Sequence, residues 1–270
     1  MLWRLTLVLG LLTGAAWVSL DAIERAIVYP FDATRVTPAT AGVPEMQEVE
    51  RAGLVVWEAT AKPGQPVIFY LHGNAGNLAN RAGRFSRFMS QGYGIIAPAY
   101  PGSSGSDGRP SQAAITEAIR DIWRELPDHF GPDARVVIYG ESLGTGVAMQ
   151  LLASVVTDGE KGLAPAGVIL EAPFTSVRDV AAHLYPGIDP LLDHLTQDWN
   201  SLAWAENLTI PLLVVHGQND RMIPPDQGRA LFEAAATGDK RFVLVQGAGH
   251  TDLWRSDTLP RFWNFINRVK

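Results

Sequence analysis

Cysteine is absent from this 270-residue chain. Its absence excludes disulfide bonds, thiolate metal ligands and a thiol nucleophile, and it leaves the redox environment of the protein open. Positive charge is also scarce, because 22 Lys and Arg residues stand against 28 Asp and Glu residues without any basic run. Nucleic acid and anionic lipid headgroups are therefore not expected as partners. Neither an H-x-x-H cluster nor a Walker loop occurs, so we expect no metal and no nucleotide cofactor.

The remaining composition is apolar and weakly charged. Hydrophobic residues make up 47% of the chain and charged residues 19%, which is typical of an ordered globular protein. The length suits one large α/β domain with a full core and allows two domains at most. Any catalytic chemistry must come from serine, histidine, carboxylates or backbone groups.

The N-terminal segment differs from the rest of the chain. Residues 5–20 carry no charge, and with their flanks they form about 19 residues, or ~28 Å as a helix, which just reaches across a bilayer core. We predict an uncleaved membrane anchor in residues 1–27. The domain over residues 28–270 would then be extracytoplasmic, because Arg4 keeps the amino terminus in the cytoplasm. A cleaved secretory signal, leaving a secreted or periplasmic protein, and a buried amphipathic helix are the alternatives.

Past residue 30, short β-branched runs alternate with longer helical patterns, which indicates βαβ units and a mostly parallel sheet. The predicted strands are residues 54–57, 67–71, 95–98, 136–139, 168–170, 212–216 and 242–245. The predicted helices are residues 78–91, 112–127, 143–156, 226–236 and 252–268. The connection over residues 173–211 is too long for a simple crossover, so we predict a small helical lid at about 174–210.

The pentapeptide G-E-S-L-G, residues 140–144, fits the nucleophile-elbow pattern G-x-S-x-G. In that motif a serine occupies a sharp turn between a strand and a helix, and small neighbours are needed to avoid collisions. The run V-V-I-Y precedes the motif and T-G-V-A-M-Q-L-L-A follows it, so the required context is present. We therefore predict that Ser142 is a nucleophile. The alternative is a glycine-rich turn with an incidental serine.

A serine nucleophile needs a base and a carboxylate that orients the base, in the chain order Ser, Asp or Glu, His on this type of sheet. His250, in Q-G-A-G-H-T-D, follows the last predicted strand and is the candidate base. Asp220, in H-G-Q-N-D, follows the preceding strand and is the candidate carboxylate. Its alternative role is a turn or helix cap. Three other aspartates lie in or after the next helix, or too near the base in the chain: Asp226, Asp239 and Asp252.

Two backbone N–H groups should face the oxyanion that develops during acyl transfer. Leu143, directly after the serine and at a helix start, should provide one. The loop H-G-N-A-G-N-L, residues 72–78, should provide the other, with Asn74 as the first candidate and Ala75 as the second.

Four further side chains are interpreted from their positions. His72 and His216 occur in H-G pairs at strand ends, and we interpret both as structural. Trp199 and Trp204 lie in the predicted lid, where they suggest a hydrophobic pocket for an acyl group. Simple packing of the lid is the alternative.

The motifs L-H-G-N-A-G-N, G-E-S-L-G, H-G-Q-N-D and G-A-G-H together resemble the α/β-hydrolase superfamily. The resemblance is strongest to its small membrane-anchored serine hydrolases, abhydrolase-domain proteins related to depalmitoylating enzymes. It covers roughly residues 28–268, and I-V-Y-P at residues 27–30 is also similar to a short motif that follows the anchor in that group. The resemblance implies an α/β-hydrolase fold with an eight-stranded, mostly parallel sheet flanked by helices. It also implies a cofactor-independent triad of Ser142, Asp220 and His250.

One motif departs from this family. Many members have D-Y-R-G-x-G-x-S after the fourth strand, whereas this chain has A-Y-P-G-S-S-G-S at residues 99–106. The Asp and Arg that the resemblance places in an ion pair beside the site are missing here, so the substrate preference of a relative should not be transferred. The predicted function is a serine hydrolase that cleaves esters or thioesters of small molecules or acylated substrates. An amidase or peptidase with the same triad and a non-catalytic binding protein are the alternatives.

Overall fold

The computed structural model describes residues 20–157 and 163–269. Residues 1–19 of the segment predicted as a membrane anchor therefore lie outside the described residues. Within the described ranges, no helix combines the length and the hydrophobicity needed to cross a membrane.

Eight strands form one open sheet in the described part of the chain. They are β1 (Gln47–Arg51), β2 (Leu54–Ala59), β3 (Val67–Leu71), β4 (Gly94–Pro98), β5 (Val136–Glu141), β6 (Gly167–Glu171), β7 (Leu212–Gly217) and β8 (Lys240–Val245). Their spatial order is β1-β2-β4-β3-β5-β6-β7-β8. Strand β2 is antiparallel to β1 and β4, and all other pairs are parallel. The predicted eight-stranded, mostly parallel sheet is confirmed.

Helices flank both faces of this sheet. The described part of α1 covers residues 20–28. The others are α2 (Ala82–Ser90), α3 (Gln112–Phe130), α4 (Leu143–Thr157), α5 (Val177–Leu184), α6 (Asp189–Leu192), α7 (Leu202–Ala205), α8 (Pro225–Ala234) and α9 (Leu259–Val269). The connection between β6 and β7 thus contains three short helices, α5 to α7.

The side chains of β3 show how both faces of the sheet are buried. Phe69 points into the core beneath α3, where its ring lies 5.5 Å from that of Trp123. Tyr70 points to the opposite core beneath α2, where its ring lies 5.2 Å from that of Phe85. Successive residues of a strand face opposite sides of the sheet. Because helices cover both faces of this sheet, its central strands need a continuous apolar run.

All seven predicted strands are present, with ends that differ by no more than two residues. Strand β1 was missed because its sequence Q-E-V-E-R is polar, as suits an edge strand paired only with β2. The helix predicted for residues 252–268 begins only at Leu259. Its expected first turns are displaced because Trp254 turns inward and donates a 2.9 Å hydrogen bond to Glu171.

Helix α1 crosses the predicted boundary between residues 27 and 28 and contacts the connection that follows β6. The Glu24 carboxylate accepts hydrogen bonds from the backbone N–H groups of Thr196 and Gln197 at 2.8 and 2.7 Å. The indole of Trp199 donates a 2.9 Å hydrogen bond to the hydroxyl of Tyr29, just after the helix. The end of the N-terminal segment therefore packs as part of the folded domain.

Candidate functional site

Ser142 lies between the end of β5 and the start of α4 with a φ of +51°. This is the left-handed region, which residues other than glycine rarely adopt. The backbone N–H of Ser142 donates to the Glu171 carbonyl at 2.9 Å, and its carbonyl accepts from Thr145 at 2.8 Å. A Cβ atom on Gly144 would overlap the Leu71 carbonyl oxygen. The glycine thus allows α4 to approach β3 and hold the serine on a tight turn.

The structure brings Ser142, His250 and Asp220 into one hydrogen-bonded chain. The serine Oγ lies 3.0 Å from His250 Nε2, and His250 Nδ1 lies 2.7 Å from Asp220 Oδ2. The other carboxylate oxygen, Oδ1, accepts from the backbone N–H groups of Met222 and Ile223, both at 2.9 Å. The Asp220 carboxylate is thereby fixed on two sides.

The Asp220 side chain is fully buried yet stays ionised. Burial alone would raise its pKa, but hydrogen bonds from His216 and His250 and the backbone N–H of Ile223 outweigh it and hold the pKa well below its usual range. His216 Nε2 donates to the Ile223 carbonyl at 2.8 Å and lies 3.5 Å from Asp220 Oδ2. A negative carboxylate favours His250 with its proton on Nδ1, which leaves Nε2 free to accept the serine proton.

The other aspartates occupy positions that suit different roles. Asp226 lies in the first turn of α8, and Asp239 pairs with Arg268. Asp252 accepts a 2.6 Å hydrogen bond from the backbone of Gly249 and so shapes the loop that carries His250.

The two proposed oxyanion donors border the same cavity as Ser142. Leu143 begins α4, and Asn74 lies in the loop after β3. Among the described residues, neither backbone N–H donates one of the loop, turn or cap hydrogen bonds of the backbone. Ala75 lines the same cavity, and it remains a second candidate. The Asn74 amide donates to the Val28 carbonyl at 3.2 Å, which ties this loop to the end of α1.

A buried ion-pair cluster beneath the serine was missed by sequence reasoning. Its members are Tyr70, Arg81, Arg84, Tyr139, Glu141, Glu171 and Trp254. Arg81 contacts Glu141 at 3.2 Å, and Arg84 contacts Glu171 through two hydrogen bonds of 2.7 and 2.9 Å. Burial alone would raise the pKa of Glu141, but Arg84 and Arg81 hold it well below its usual range. The sequence signal that could have revealed the cluster is a glutamate at the end of each of two apolar strands, Glu141 in β5 and Glu171 in β6.

This cluster contacts both the loop that contains Asn74 and the elbow that contains Ser142. Arg81 also donates to the carbonyls of Ala75 and Asn77 and thus holds the loop that contains Asn74. Glu141 precedes the serine directly in the elbow. The cluster therefore links α2 and the loop before it to the ends of β5 and β6.

Ser142 lies between two cavities of different character. A cavity of about 340 Å³ is lined mainly by apolar side chains, including Phe174, Val177 and Leu184. The other cavity beside Ser142, of about 490 Å³, has a mixed lining that includes the charged side chains of Arg81 and Glu141. The site can therefore receive a molecule with one apolar and one polar part.

The expectation that Trp199 and Trp204 line an acyl pocket is wrong. Neither residue borders the apolar cavity beside Ser142. Trp199 is buried in the core, where its indole N–H donates a hydrogen bond to the Tyr29 hydroxyl, and Trp204 packs partly buried against the same core.

Within residues 20–157 and 163–269, no group of three or more His, Asp or Glu side chains is arranged to hold a metal ion.

Comparison with protein families gave two matches. The profile of the alpha/beta hydrolase fold matches residues 66–188, which include Ser142, and the profile named serine aminopeptidase, S33, matches residues 200–254, which include Asp220 and His250.

Relatives and solved structures agree with these matches. Lysophosphatidylserine lipase ABHD12 of Danio rerio is 32% identical over 76% of this chain, which spans only 58% of that enzyme's length. An uncharacterized protein of Mycobacterium tuberculosis is 30% identical over 85% of this chain and 81% of its own length. The esterase Pf2001 of Pyrococcus furiosus has a TM-score of 0.70 at 17% identity, covering 89% of this chain and 96% of its own. A monoglyceride lipase of Saccharomyces cerevisiae has a TM-score of 0.62 at 13% identity, covering 90% of this chain and 98% of its own.

Proposed function

Because the chain belongs to the α/β-hydrolase superfamily, we propose that it is a serine hydrolase that cleaves carboxylic esters or thioesters of lipid-like molecules. The observation that carries this proposal is the hydrogen-bonded chain from Ser142 Oγ through His250 to Asp220, with distances of 3.0 and 2.7 Å. A serine hydroxyl becomes an effective nucleophile when an oriented imidazole can accept its proton.

The proposed reaction has two steps. His250 Nε2 takes the Ser142 proton while the serine oxygen attacks the carbonyl carbon, and the N–H groups of Leu143 and Asn74 bind the oxyanion. His250 then protonates the leaving alcohol or thiol, which departs and leaves an acyl-enzyme. In the second step His250 activates a water molecule, which releases the acid and restores the serine. Asp220 orients the imidazole throughout and stabilises its protonated form.

The two cavities support a lipid-like substrate. We infer that the apolar cavity takes the acyl group and that the cavity with the mixed lining takes the leaving group and water, because Ser142 lies between them. The zebrafish relative is named a lysophosphatidylserine lipase and the yeast structure a monoglyceride lipase. Both names are consistent with an ester that has a polar head and an apolar chain.

The experiment is active-site labelling of the full-length protein with a fluorophosphonate, combined with hydrolysis of esters from acetyl to palmitoyl. We expect Ser142→Ala to abolish both labelling and turnover. Asp220→Asn should lower kcat by about 10⁴-fold, because the imidazole loses its proper tautomer. Ser86→Ala changes an exposed serine on α2 and is the matched control, with both activities retained.

Two results would redirect the proposal. Faster cleavage of anilides than of matched esters would favour an amidase, the second candidate, which the serine aminopeptidase profile over residues 200–254 supports. A folded wild-type protein that neither reacts with the fluorophosphonate nor turns over any ester would favour a non-catalytic binding protein.

We also propose that the N-terminal segment, residues 1–27, includes a membrane anchor formed by its uncharged stretch, with the catalytic domain on the extracytoplasmic side. The support is the uncharged stretch over residues 5–20 and the position of Arg4. Resistance of the full-length chain to alkaline extraction from membranes, together with an intact amino terminus, is the expected result. Release into the soluble fraction with a new amino terminus would instead indicate a cleaved signal.

A further inference from the structure

A second apolar cavity, of about 190 Å³, lies beside the cavity that contains Ser142. Its walls come from α1 and from the segment around α5 and α6. The residues that line it without bordering the first cavity include Leu20, Ile23, Ile188, Leu191, Leu192 and Leu195. Glu24 also borders it, but its carboxylate is occupied by hydrogen bonds to Thr196 and Gln197. The surface offered to a ligand is therefore mainly aliphatic.

The two cavities adjoin each other. Five residues line both of them: Ile27, Val28, Val177, Ala181 and Tyr185. The shared residues lie where α1 faces α5, so the second cavity extends the apolar surface that begins beside Ser142. Along α1, the distance from Val28 to Leu20 is about 12 Å at 1.5 Å per residue. An extended chain on the order of ten bonds of about 1.5 Å each covers that distance.

The exposed apolar side chains concentrate along this path. Among the described residues, the large hydrophobic side chains that remain exposed are Leu20, Ile23, Ile27, Leu184, Tyr185, Leu191, Leu202 and Met222. All of them except Leu202 border one of the two apolar cavities. Single exposed apolar residues need no explanation, but a contiguous set beside a reactive group indicates an apolar ligand.

We propose that the second cavity binds the distal half of a long acyl chain whose carbonyl group lies at Ser142. The inference rests on the proposed function and specifies its substrate class as long-chain acyl esters. A short acyl group fills only the first cavity. A longer chain passes Ala181 and Tyr185 and buries its remaining methylenes between α1 and α6. Each methylene buried there raises kcat/KM by up to about fourfold.

The test compares kcat/KM for p-nitrophenyl butyrate, decanoate and hexadecanoate in detergent micelles, using the full-length protein. Ile23→Trp places a larger side chain in the second cavity without touching the first. We expect it to lower the ratio of hexadecanoate to butyrate activity by at least about tenfold, which is about 1.4 kcal/mol of transition-state binding. Leu191→Trp fills the same cavity from the opposite wall and should act in the same direction.

Leu202→Trp is the matched control, because Leu202 is an exposed leucine that borders neither apolar cavity. It should leave the ratio unchanged, and circular dichroism should show that all three variants are folded. An unchanged ratio in folded Ile23→Trp and Leu191→Trp, with normal ester turnover, would overturn the proposal. Loss of all ester turnover in the wild type would instead contradict the proposed function itself.

Discussion

The buried imidazole of His216 contacts the carboxylate that orients the proposed base. Its Nε2 atom donates to the Ile223 carbonyl at 2.8 Å and lies 3.5 Å from Asp220 Oδ2. Gly228 packs against the opposite edge of the ring, where any side chain would collide with Nδ1. His216 therefore acts as a positioning residue, because it holds both the carboxylate and the loop that follows it.

Replacing His216 by Phe keeps the ring volume and removes the donor. We expect kcat to fall by about 10- to 100-fold with little change in KM. Loss of this supporting contact changes the orientation of the reacting groups and does not alter substrate binding. The unfolding free energy should fall by about 1–3 kcal/mol, because the Ile223 carbonyl loses its partner. Steady-state kinetics and urea unfolding measure the two effects.

His216→Gln retains a side-chain N–H and should recover part of the lost kcat. A purely structural role predicts a different outcome, in which both variants lose stability while kcat per folded, fluorophosphonate-reactive molecule stays at the wild-type value.

At the scale of elements, the contact between α4 and β3 places the nucleophile. Gly144 on α4 faces the carbonyl oxygens of Leu71 and His72, and a methyl group at this position would overlap the Leu71 carbonyl. A similar close approach occurs where Gly217, at the end of β7, meets the carbonyl of Gly249. The first contact positions the turn that carries Ser142 against β3, and the second positions the loop that carries His250 against β7.

Gly144→Ala should separate α4 from β3 and displace Ser142. We expect a loss of roughly 1–3 kcal/mol in unfolding free energy, the usual cost of overpacking, with ester turnover reduced at least about tenfold. Gly83→Ala is the matched control, because Gly83 lies on α2 with open space around its Cα. It should change the stability by less than about 1 kcal/mol, in the stabilising direction. Equal behaviour of the two variants would argue against the close approach of α4 to β3.

At the scale of the whole molecule, buried titratable groups make the stability depend on pH. His72 is fully buried beside Tyr100, and burial, with a contribution from Arg81, lowers its pKa to about 3. An unfolded chain binds a proton at this histidine below about pH 6.5. The pKa values of Glu141 and Asp220 are also lower in the folded protein than in the unfolded chain.

The sign follows from which state binds more protons. Between about pH 6.5 and pH 3 the unfolded chain holds the extra proton at His72, so the unfolding free energy should fall as the pH falls, by up to about 1.4 kcal/mol per pH unit. Below about pH 4 the two carboxylates add to this slope. Urea unfolding at a series of pH values measures this change of the unfolding free energy with pH. His72→Gln should show a shallower slope between pH 6.5 and 4.5, and an unaltered slope would assign the effect to other groups.

Much of the fold was predictable because its signals are local. The β-branched run before Ser142, the flanking glycines and the apolar helix after it all lie within a few residues of each other. Strand and turn preferences act over such short distances, so strand bounds and the elbow could be inferred. Strand β1 could not, because a polar edge strand lacks that local pattern.

The sequence by itself determined which residues are candidates for chemistry, since chain order and strand ends restrict the serine, carboxylate and histidine to Ser142, Asp220 and His250. Only the tertiary structure decided how far apart they lie, which cavities border the serine, and that Trp199 belongs to the core. Such contacts depend on how elements distant in the chain pack together. The ion pair between Arg81 and Glu141, 60 residues apart, illustrates the reason: its energy depends on a distance that no local pattern specifies.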